Sequence, residues 1–328
     1  MSVRHTSRLI GVFTQLLPYL DRGDLWDQYD QTVSWGHYKN VIGSSQISPI
    51  ANNSTVPANY ADLLKRMTIN PGVTPTALPV LLCPSAPRRN AALDHNPDNF
   101  RGSVNAWEGI AAVTDFAPSL GNSPTLEYFA ARMESPVVVR GSTSDLSSGT
   151  VTTNGFFPKN SQLNLADISD GVSNTIALWE SVGRPFVYRN GVLVSEDLYS
   201  HHINGGGWTR AASDILLEGS SKDGTQIPGP YLNRTNGYDH ASELYTVKGY
   251  ETAPPNRQAI LGGQTSPVAL PYGTEGSSQP YSFHNGGLHV LIGDGRVRFV
   301  DEDIDISVAG ALVTRNQAGV EPKPTLPN

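Results

Sequence analysis

The segment SFHNGGLHVLIGDGRVRFV, residues 282–300, carries the clearest signal of local structure in the chain. Residues 288–292 are an apolar-rich run, and the Gly-Asp-Gly triplet at 293–295 supplies turn chemistry, because Asp accepts local backbone hydrogen bonds and Gly tolerates positive φ. After the triplet, Val297 and Phe299 alternate with two arginines. The pattern predicts a β-hairpin whose second strand has one apolar and one polar face.

The segment after the hairpin predicts a closing helix over residues 304–315. The acidic residues Asp301, Glu302 and Asp303 precede it, where the helix dipole favours negative charge. The last residues, 321–328, are rich in proline and predict an extended tail.

The N-terminal region predicts two short helices. Apolar residues recur at helical spacing over residues 9–20, and Pro18 interrupts them, so a kink or a new turn is expected there. A second helix is expected over residues 25–29, with Asp24 as its N-cap.

The middle of the chain predicts strands and loops. A short apolar run at 79–83 and residues 174–179 are both typical of buried strands. Repeated turn dipeptides over 185–280 indicate a loop-rich β insertion. We therefore expect an α+β fold in which a short N-terminal helical piece packs on an antiparallel sheet with strands near 80, 174 and 288–300.

These patterns divide the chain into five parts. They are a remnant helical segment over 1–35, a core over 36–184, the insertion over 185–280, a hairpin and helix that complete the core over 281–316, and a tail over 317–328.

Composition excludes some classes of function. The 328 residues are 38% hydrophobic and 16% charged, with a net charge of −7. Nucleic acid is an unsuitable partner, because phosphate contacts need clustered Lys and Arg. No apolar run is long enough to span a membrane, and the polar first residues lack the apolar core of a signal peptide.

The chain has one cysteine, Cys83. This excludes an intrachain disulfide and a zinc cluster built from several thiolates. A buried free thiol that packs as a small hydrophobe is one reading of Cys83.

His284 and the pair Asp294-Gly295, which nine residues separate, invite a catalytic or metal-binding interpretation. We favour a structural one, with the histidine at the base of the hairpin and the pair in its turn. Asp170-Gly171 similarly predicts a turn that enters a strand.

Asp301, Asp303 and Asp305 alternate in the manner of a calcium loop. An EF-hand needs Gly at its sixth position and Glu at its twelfth, where this chain has Ile306 and Leu312. Calcium held by loop aspartates stays a secondary hypothesis, and charge at a helix N-terminus is the simpler one.

Two further groups of titratable residues are candidate catalytic or metal sites. They are the carboxylates Asp167, Asp170 and Glu180, and the cluster Glu196, Asp197, His201 and His202. In the first group, the simpler interpretation is that Asp170 forms the turn that enters a strand and Glu180 ends that strand. In the second, adjacent histidines on a strand point to opposite faces, which disfavours one shared site.

No sequence pattern identifies an enzyme. The chain lacks G-x-S-x-G, H-E-x-x-H, Walker and Rossmann motifs, although members of a Ser-His-Asp triad need not be close in sequence. Aromatic residues among Gly and Asn could stack on sugars, but core packing is the simpler role for each. They are Trp107, Trp208, Tyr231 and Tyr238.

Three asparagines head N-x-S/T sequons: Asn52, Asn53 and Asn233. Their loop-like surroundings predict exposed positions at which a glycan could be attached.

Several segments together resemble a known family, the planctomycete-type prepilin-like proteins with the DUF1559 domain and a C-terminal H-X9-DG signature. The similar segments lie in family order along most of the chain. They are QLLPYLDRGDLWDQ at 15–28, VLLCPSAP at 80–87, NFRG at 99–102, ISDGVSNTIALWES at 168–181, and the stretch from His284 to Gly295.

The resemblance implies a pilin-like fold and an extracellular or cell-surface location. Family members begin with a prepilin leader and a long hydrophobic helix, so we expect the natural beginning of this chain to be missing. The resemblance also implies a second cysteine after that helix. In the other interpretation of Cys83, its disulfide partner is therefore missing together with that segment.

The expected function is that of a pilin-like structural or surface protein that works through its surfaces and could assemble into filaments, and not that of an enzyme. The alternative is a carbohydrate-binding or carbohydrate-cleaving protein of the cell surface.

Overall fold

The structure is a computed structural model that describes residues 10–31, 37–38, 70, 73–87, 93–96, 107–123, 126, 130, 143–145, 150–152, 154–158, 163–195, 206–210, 213–237 and 278–317. The helices with defined bounds are α1 Val12–Leu16, α2 Gly23–Gln28 and α3 Ile306–Val313. Within the described segments, no helix has the length and apolar character needed to cross a membrane.

The strands are short, as the many glycines and prolines suggest. They are β1 His37–Tyr38, β2 Leu93–Asn96, β3 Trp107–Ala112, β4 Phe116–Asn122, β5 Thr143–Asp145, β6 Thr150–Thr152, β7 Ile176–Glu180, β8 Val187–Arg189, β9 Val192–Ser195, β10 Ile215–Leu217, β11 Gly287–Ile292 and β12 Val297–Asp301.

The central sheet has five strands in the order β10-β4-β7-β11-β12. The pairs β4–β7, β7–β11 and β11–β12 are antiparallel, whereas β10 pairs with β4 in parallel. The expected α+β class is confirmed at this level. The strands expected near 174 and 288–300 pair antiparallel as predicted, whereas the sheet as a whole is mixed, since β10 joins its edge parallel to β4.

The C-terminal hairpin is confirmed, with β11 and β12 joined across the Gly-Asp-Gly turn. The apolar residues Val297 and Phe299 of the second strand do not face the core. On β12, Val300 is buried, whereas Val297 and Phe299 are 64% and 47% exposed. The inward face of β12 is therefore anchored by Val300, and two apolar side chains lie on its outer face.

Helix α3 closes the main core. The Asp305 side chain accepts a hydrogen bond of 2.7 Å from the Ser307 N–H and so caps the helix. The buried side of α3 packs against β4 and β7, so that the expected closing helix is confirmed with bounds two residues shorter at each end. The core cluster includes Trp179, Leu288, Val290, Val300, Ile306, Ala309 and Leu312.

The N-terminal helices form a second core cluster. Phe13, Leu17 and Leu25 are buried against Leu78 and Trp208. A 3-10 helix, Leu17–Leu20, has a proline in its first turn, as the sequence predicted. The expected N-cap role of residue 24 is wrong.

That residue, Asp24, lies in the first turn of α2, and its carboxylate pairs with Arg22 at 2.8 Å. Arg22 occupies the N-cap position and makes no side-chain capping bond. The negative charge therefore supports the helix start through an ion pair and the dipole.

The strand predicted over residues 79–83 is wrong. Pro79–Leu81 is a 3-10 helix, with the Leu81 N–H bonded to the Leu78 carbonyl at 2.9 Å. Pro79 has no N–H to give to a strand partner, and it suits the first turn of a helix. As a result, the chain turns at Leu81 and places Cys83 near the end of β7, the middle strand of the central sheet.

Parts of the region 185–280, expected to be an insertion on top of the core, contribute to the core. Strands β8 and β9 form a separate hairpin, but β10 belongs to the central sheet and Trp208 to the N-terminal cluster. Trp208 is fully buried, and its indole N–H donates to the Thr76 carbonyl at 3.0 Å.

Candidate functional site

Cys83 lies at the end of the segment that follows the 3-10 helix Pro79–Leu81. Its side chain is buried, and its backbone N–H donates to the Asp115 carboxylate at 2.7 Å. The Cys83 Sγ is 2.9 Å from the Ser85 Oγ. Asp115 is itself buried between β3 and β4, so it fixes the position of Cys83 relative to the sheet.

Glu180 is the last residue of β7, the middle strand of the sheet. Only 4% of its side chain is exposed. The Oε2 atom accepts a hydrogen bond of 2.6 Å from the backbone N–H of His289, on the neighbouring strand β11. The sheet therefore holds this carboxylate in a single orientation at the point where β7 ends.

His284 lies in the loop that leads into β11, and the loop is held by buried polar contacts. The His284 N–H donates to the Ser282 Oγ at 3.1 Å, and that hydroxyl donates to the Gly287 carbonyl at 2.7 Å. The Asn233 Oδ1 accepts from the Ser282 N–H at 2.7 Å. These bonds fix the backbone of His284 from both sides.

The three side chains meet at one place. The His284 Nε2 is 3.3 Å from the Glu180 Oε1 and 3.6 Å from the Cys83 Sγ. One ligand atom from each of Cys83, Glu180 and His284 lies within 4.8 Å of the other two. We call these three residues the Cys–Glu–His cluster. They come from three segments that are far apart in the chain.

A second histidine flanks the cluster. The His289 Nδ1 is 3.4 Å from the Glu180 Oε2, and the rings of His284 and His289 meet edge to face at 4.8 Å. The His289 ring also meets the Phe299 ring edge to face, with their centroids 5.2 Å apart. Because the side chains of His284 and His289 are 29% and 42% exposed, the cluster can be reached from solvent on the histidine side.

The surroundings of Cys83 raise the pKa of its thiol. Burial raises the pKa of Cys83 above its ordinary value; hydrogen bonding to Ser85 opposes this rise, and the negative charges of Glu180 and Asp115 add to it. A reactive thiolate usually needs a nearby positive charge. Burial and the neighbouring carboxylates therefore work against the thiolate form of Cys83.

The pattern of contacts also differs from that of a nucleophilic triad. In a triad, one imidazole nitrogen faces the nucleophile and a carboxylate holds the other nitrogen. Here Cys83 and Glu180 both approach the same atom, the Nε2 of His284. Three potential ligand atoms thus surround a common point.

The pair Asp294-Gly295 lies at the opposite end of the hairpin from His284. Asp294 accepts a bond of 3.1 Å from the Arg296 N–H and pairs with the Arg296 guanidinium at 2.7 Å. Hydrogen bonding to Arg296 lowers the pKa of Asp294 to about 2. Gly295 has φ +90. In the structure this pair forms a turn and does not join His284 in one site.

The pair Asp170-Gly171 links β7 to the end of α3. The Asp170 Oδ2 accepts bonds from the Gln317 N–H at 2.9 Å and the Thr314 hydroxyl at 3.4 Å. Gly171 has φ +95 and begins the 3-10 helix Val172–Asn174. The neighbouring carboxylate, Asp167, completes a capping box with Asn164.

The three aspartates considered for calcium make separate local contacts. The Asp301 Oδ1 accepts from the Asp303 N–H at 2.8 Å, Asp303 pairs with Arg234 at 3.1 Å, and Asp305 caps α3. Among the described residues, the group that brings three metal-ligand atoms together is the Cys–Glu–His cluster.

The expected exposure of Asn233 is wrong. Its side chain is buried, accepting from Ser282 and donating to the Gly287 carbonyl at 3.4 Å and to Glu302 at 3.2 Å. A glycan on this amide nitrogen would replace one of its two hydrogens and so remove one of the two bonds that the nitrogen donates. The remaining candidates lie outside the residues whose side chains the structure describes: Asn52, Asn53, Trp107, Glu196, Asp197, His201, His202 and Tyr238.

Sequence reasoning named Cys83, Glu180 and His284 but did not bring them together, and it missed Asp115. One feature of the sequence could have indicated the cluster. Three different segments of the family resemblance contain the cysteine, the glutamate and the histidine. Residues of metal-binding or catalytic type in several such segments indicate a shared site more strongly than spacing within any one segment does.

Comparison with known proteins places the chain in a family. Residues 2–307 match the family described as a protein of unknown function, DUF1559. Neither curated proteins nor solved structures gave a match. Because the family match covers most of the sequence, this chain belongs to the DUF1559 family.

Proposed function

We propose that this chain is a pilin-like component of the extracellular space or cell surface, and that it works by self-assembly through its own surfaces. The observation that carries the proposal is the outer edge of the central sheet. Strand β12 is the last strand in the sheet order, and among the described residues it pairs only with β11. An edge strand offers backbone N–H and C=O groups to another chain.

Exposed apolar side chains on β12 suit contact with a second copy of this chain. Val297 and Phe299 lie on the exposed face of β12. A second pair of exposed apolar residues, Val192 and Val194, lies on β9. Two different apolar strands on one molecule favour head-to-tail contacts, which extend into fibres when their rotation does not close.

We further propose that the chain is not a cysteine hydrolase. The raised pKa of Cys83 and the shared contact at the His284 Nε2 support this. The carbohydrate alternative loses one of its supports, because Trp208 is buried in the core.

Electron microscopy and light scattering of the purified chain over a range of concentrations test the assembly proposal. We expect fibres to appear above a threshold concentration. Val297→Lys should raise that threshold at least about tenfold, because a lysine on an edge strand opposes pairing with another chain. Leu165→Lys is the matched control, since Leu165 is 65% exposed but lies in a 3-10 helix and not on a strand.

Wild-type protein that stays monomeric at every concentration would contradict self-assembly. Equal thresholds for wild type and Val297→Lys would show that assembly does not use β12.

A further inference from the structure

We propose that Cys83, Glu180 and His284 bind a zinc-like divalent transition-metal ion through one sulfur, one carboxylate oxygen and one imidazole nitrogen. The site does not depend on self-assembly, and either proposal can fail without the other. It is a feature of the monomer, built where three distant segments meet.

The distances between the side-chain atoms fit such an ion. Zinc bonds of about 2.3 Å to sulfur and about 2.05 Å to nitrogen or oxygen, at tetrahedral angles, separate S from N by about 3.6 Å and N from O by about 3.4 Å. The Cys83 Sγ and His284 Nε2 are 3.6 Å apart, and the His284 Nε2 and Glu180 Oε1 are 3.3 Å apart. The ligand atoms are therefore already close to coordinating separation.

Hydrogen bonding explains the arrangement less well than a cation does. The His284 Nε2 can carry one proton, yet it faces both a thiol and a carboxylate. Glu180 is buried, and its carboxylate contacts in the structure are one backbone N–H and two imidazoles. A buried carboxylate is costly without a compensating charge, which a divalent ion would supply.

The ligand types select the class of metal. Sulfur and imidazole ligands favour zinc and neighbouring transition metals, whereas calcium and magnesium prefer oxygen alone. Three protein ligands leave a fourth position for water. The partly exposed ring of His284 lies on the side from which solvent can reach the cluster.

Outer contacts hold two of the ligands in place. Asp115 binds the Cys83 N–H, and Ser282 binds the His284 N–H. Such contacts are typical of metal sites, where they orient the ligands. An ion at this position would tie the segment after Leu81, in the N-terminal core cluster, to β7 and the loop before β11.

Cobalt(II) titration of the full chain tests the proposal, because the chain has a single cysteine. The metal-free protein, kept reduced, should develop a near-ultraviolet sulfur-to-cobalt charge-transfer band and the visible bands of tetrahedral cobalt, at one ion per chain. Zinc should displace the cobalt and abolish the bands. Zinc should also raise the melting temperature of the wild type, since it binds the folded state.

Variants assign the ligands. Cys83→Ser should remove the charge-transfer band, and Glu180→Gln and His284→Gln should each weaken cobalt binding by at least about 100-fold, beyond the effect usual for outer-shell residues. Asp303→Asn is the matched control. It removes the same charge from an exposed carboxylate and should leave the titration unchanged.

A wild-type protein that gives no charge-transfer band at saturating cobalt would overturn the proposal, whatever the variants do. Tight binding that persists unchanged in Cys83→Ser would also overturn it, since the ion would then lie elsewhere. A circular dichroism melt of each metal-free variant identifies any variant that has lost its fold.

Discussion

The two ends of the C-terminal hairpin are built in different ways. At the His284 end, distant residues hold the backbone, with Asn233 bonded to Ser282 in the loop and Glu180 bonded to His289 on β11. At the Asp294 end, the turn is held mainly by its own neighbour, Arg296. Nine residues lie between His284 and Asp294. They separate an end of the hairpin that is held by tertiary contacts from an exposed end that is held by local contacts.

Substitutions at the two ends should therefore change stability by different amounts. The buried end depends on groups that water cannot replace, whereas the exposed end makes contacts that water can largely replace. Two glycines, one at each end, allow this contrast to be measured with the same change.

Gly287→Ala should have the largest effect. A Cβ at this position would lie 2.1 Å from the Val300 carbonyl oxygen and 2.8 Å from the Phe299 ring. The hairpin would have to separate, so we expect a loss of about 3 kcal/mol of stability, measured by urea denaturation. Gly23→Ala, where nothing lies within 4 Å, is the control and should not destabilise the protein.

Gly295→Ala should have a smaller effect. No atom lies within 4 Å of the new Cβ, but the backbone has φ +90. Strain in this left-handed conformation should cost about 1 to 2 kcal/mol in the same denaturation experiment. A loss equal to that of Gly287→Ala would mean that the two ends are not built differently.

The smallest effect should be the pH dependence of the ion pair between Asp294 and Arg296. The pKa of Asp294 is lowered to about 2 in the folded protein, so its contribution is present above about pH 4 and is lost as pH falls towards 2. Melting temperatures of wild type and Asp294→Asn should converge over that interval. Because the pair is exposed, the difference at pH 5 should be small; a difference that grows on acidification would contradict this assignment.

Local patterns were sufficient to predict the hairpin and the closing helix. Residues 288–300 carry an apolar run, a turn triplet and an alternating strand, and all of their information is contiguous. Strand β7 was predicted for the same reason. By contrast, the strand expected at 79–83 formed a 3-10 helix, because the position of a proline outweighed a short apolar run.

The cluster itself could not be predicted from local patterns. Cys83 and His284 are 201 positions apart, and no spacing rule connects them. Glu180 was interpreted as the end of a strand, which it is, and its inward orientation depends on β11 lying beside it. The burial of Asn233 could not be predicted from local patterns either, because its partners Ser282 and Gly287 belong to another segment.

X-ray absorption spectroscopy at the zinc edge of the zinc-loaded full chain tests most directly whether Cys83, Glu180 and His284 share one ion. We predict one sulfur at about 2.3 Å and nitrogen or oxygen neighbours at about 2.0 to 2.2 Å, with total coordination near four. The sulfur should vanish in Cys83→Ser. A first shell of nitrogen and oxygen alone in the wild type would contradict the shared site.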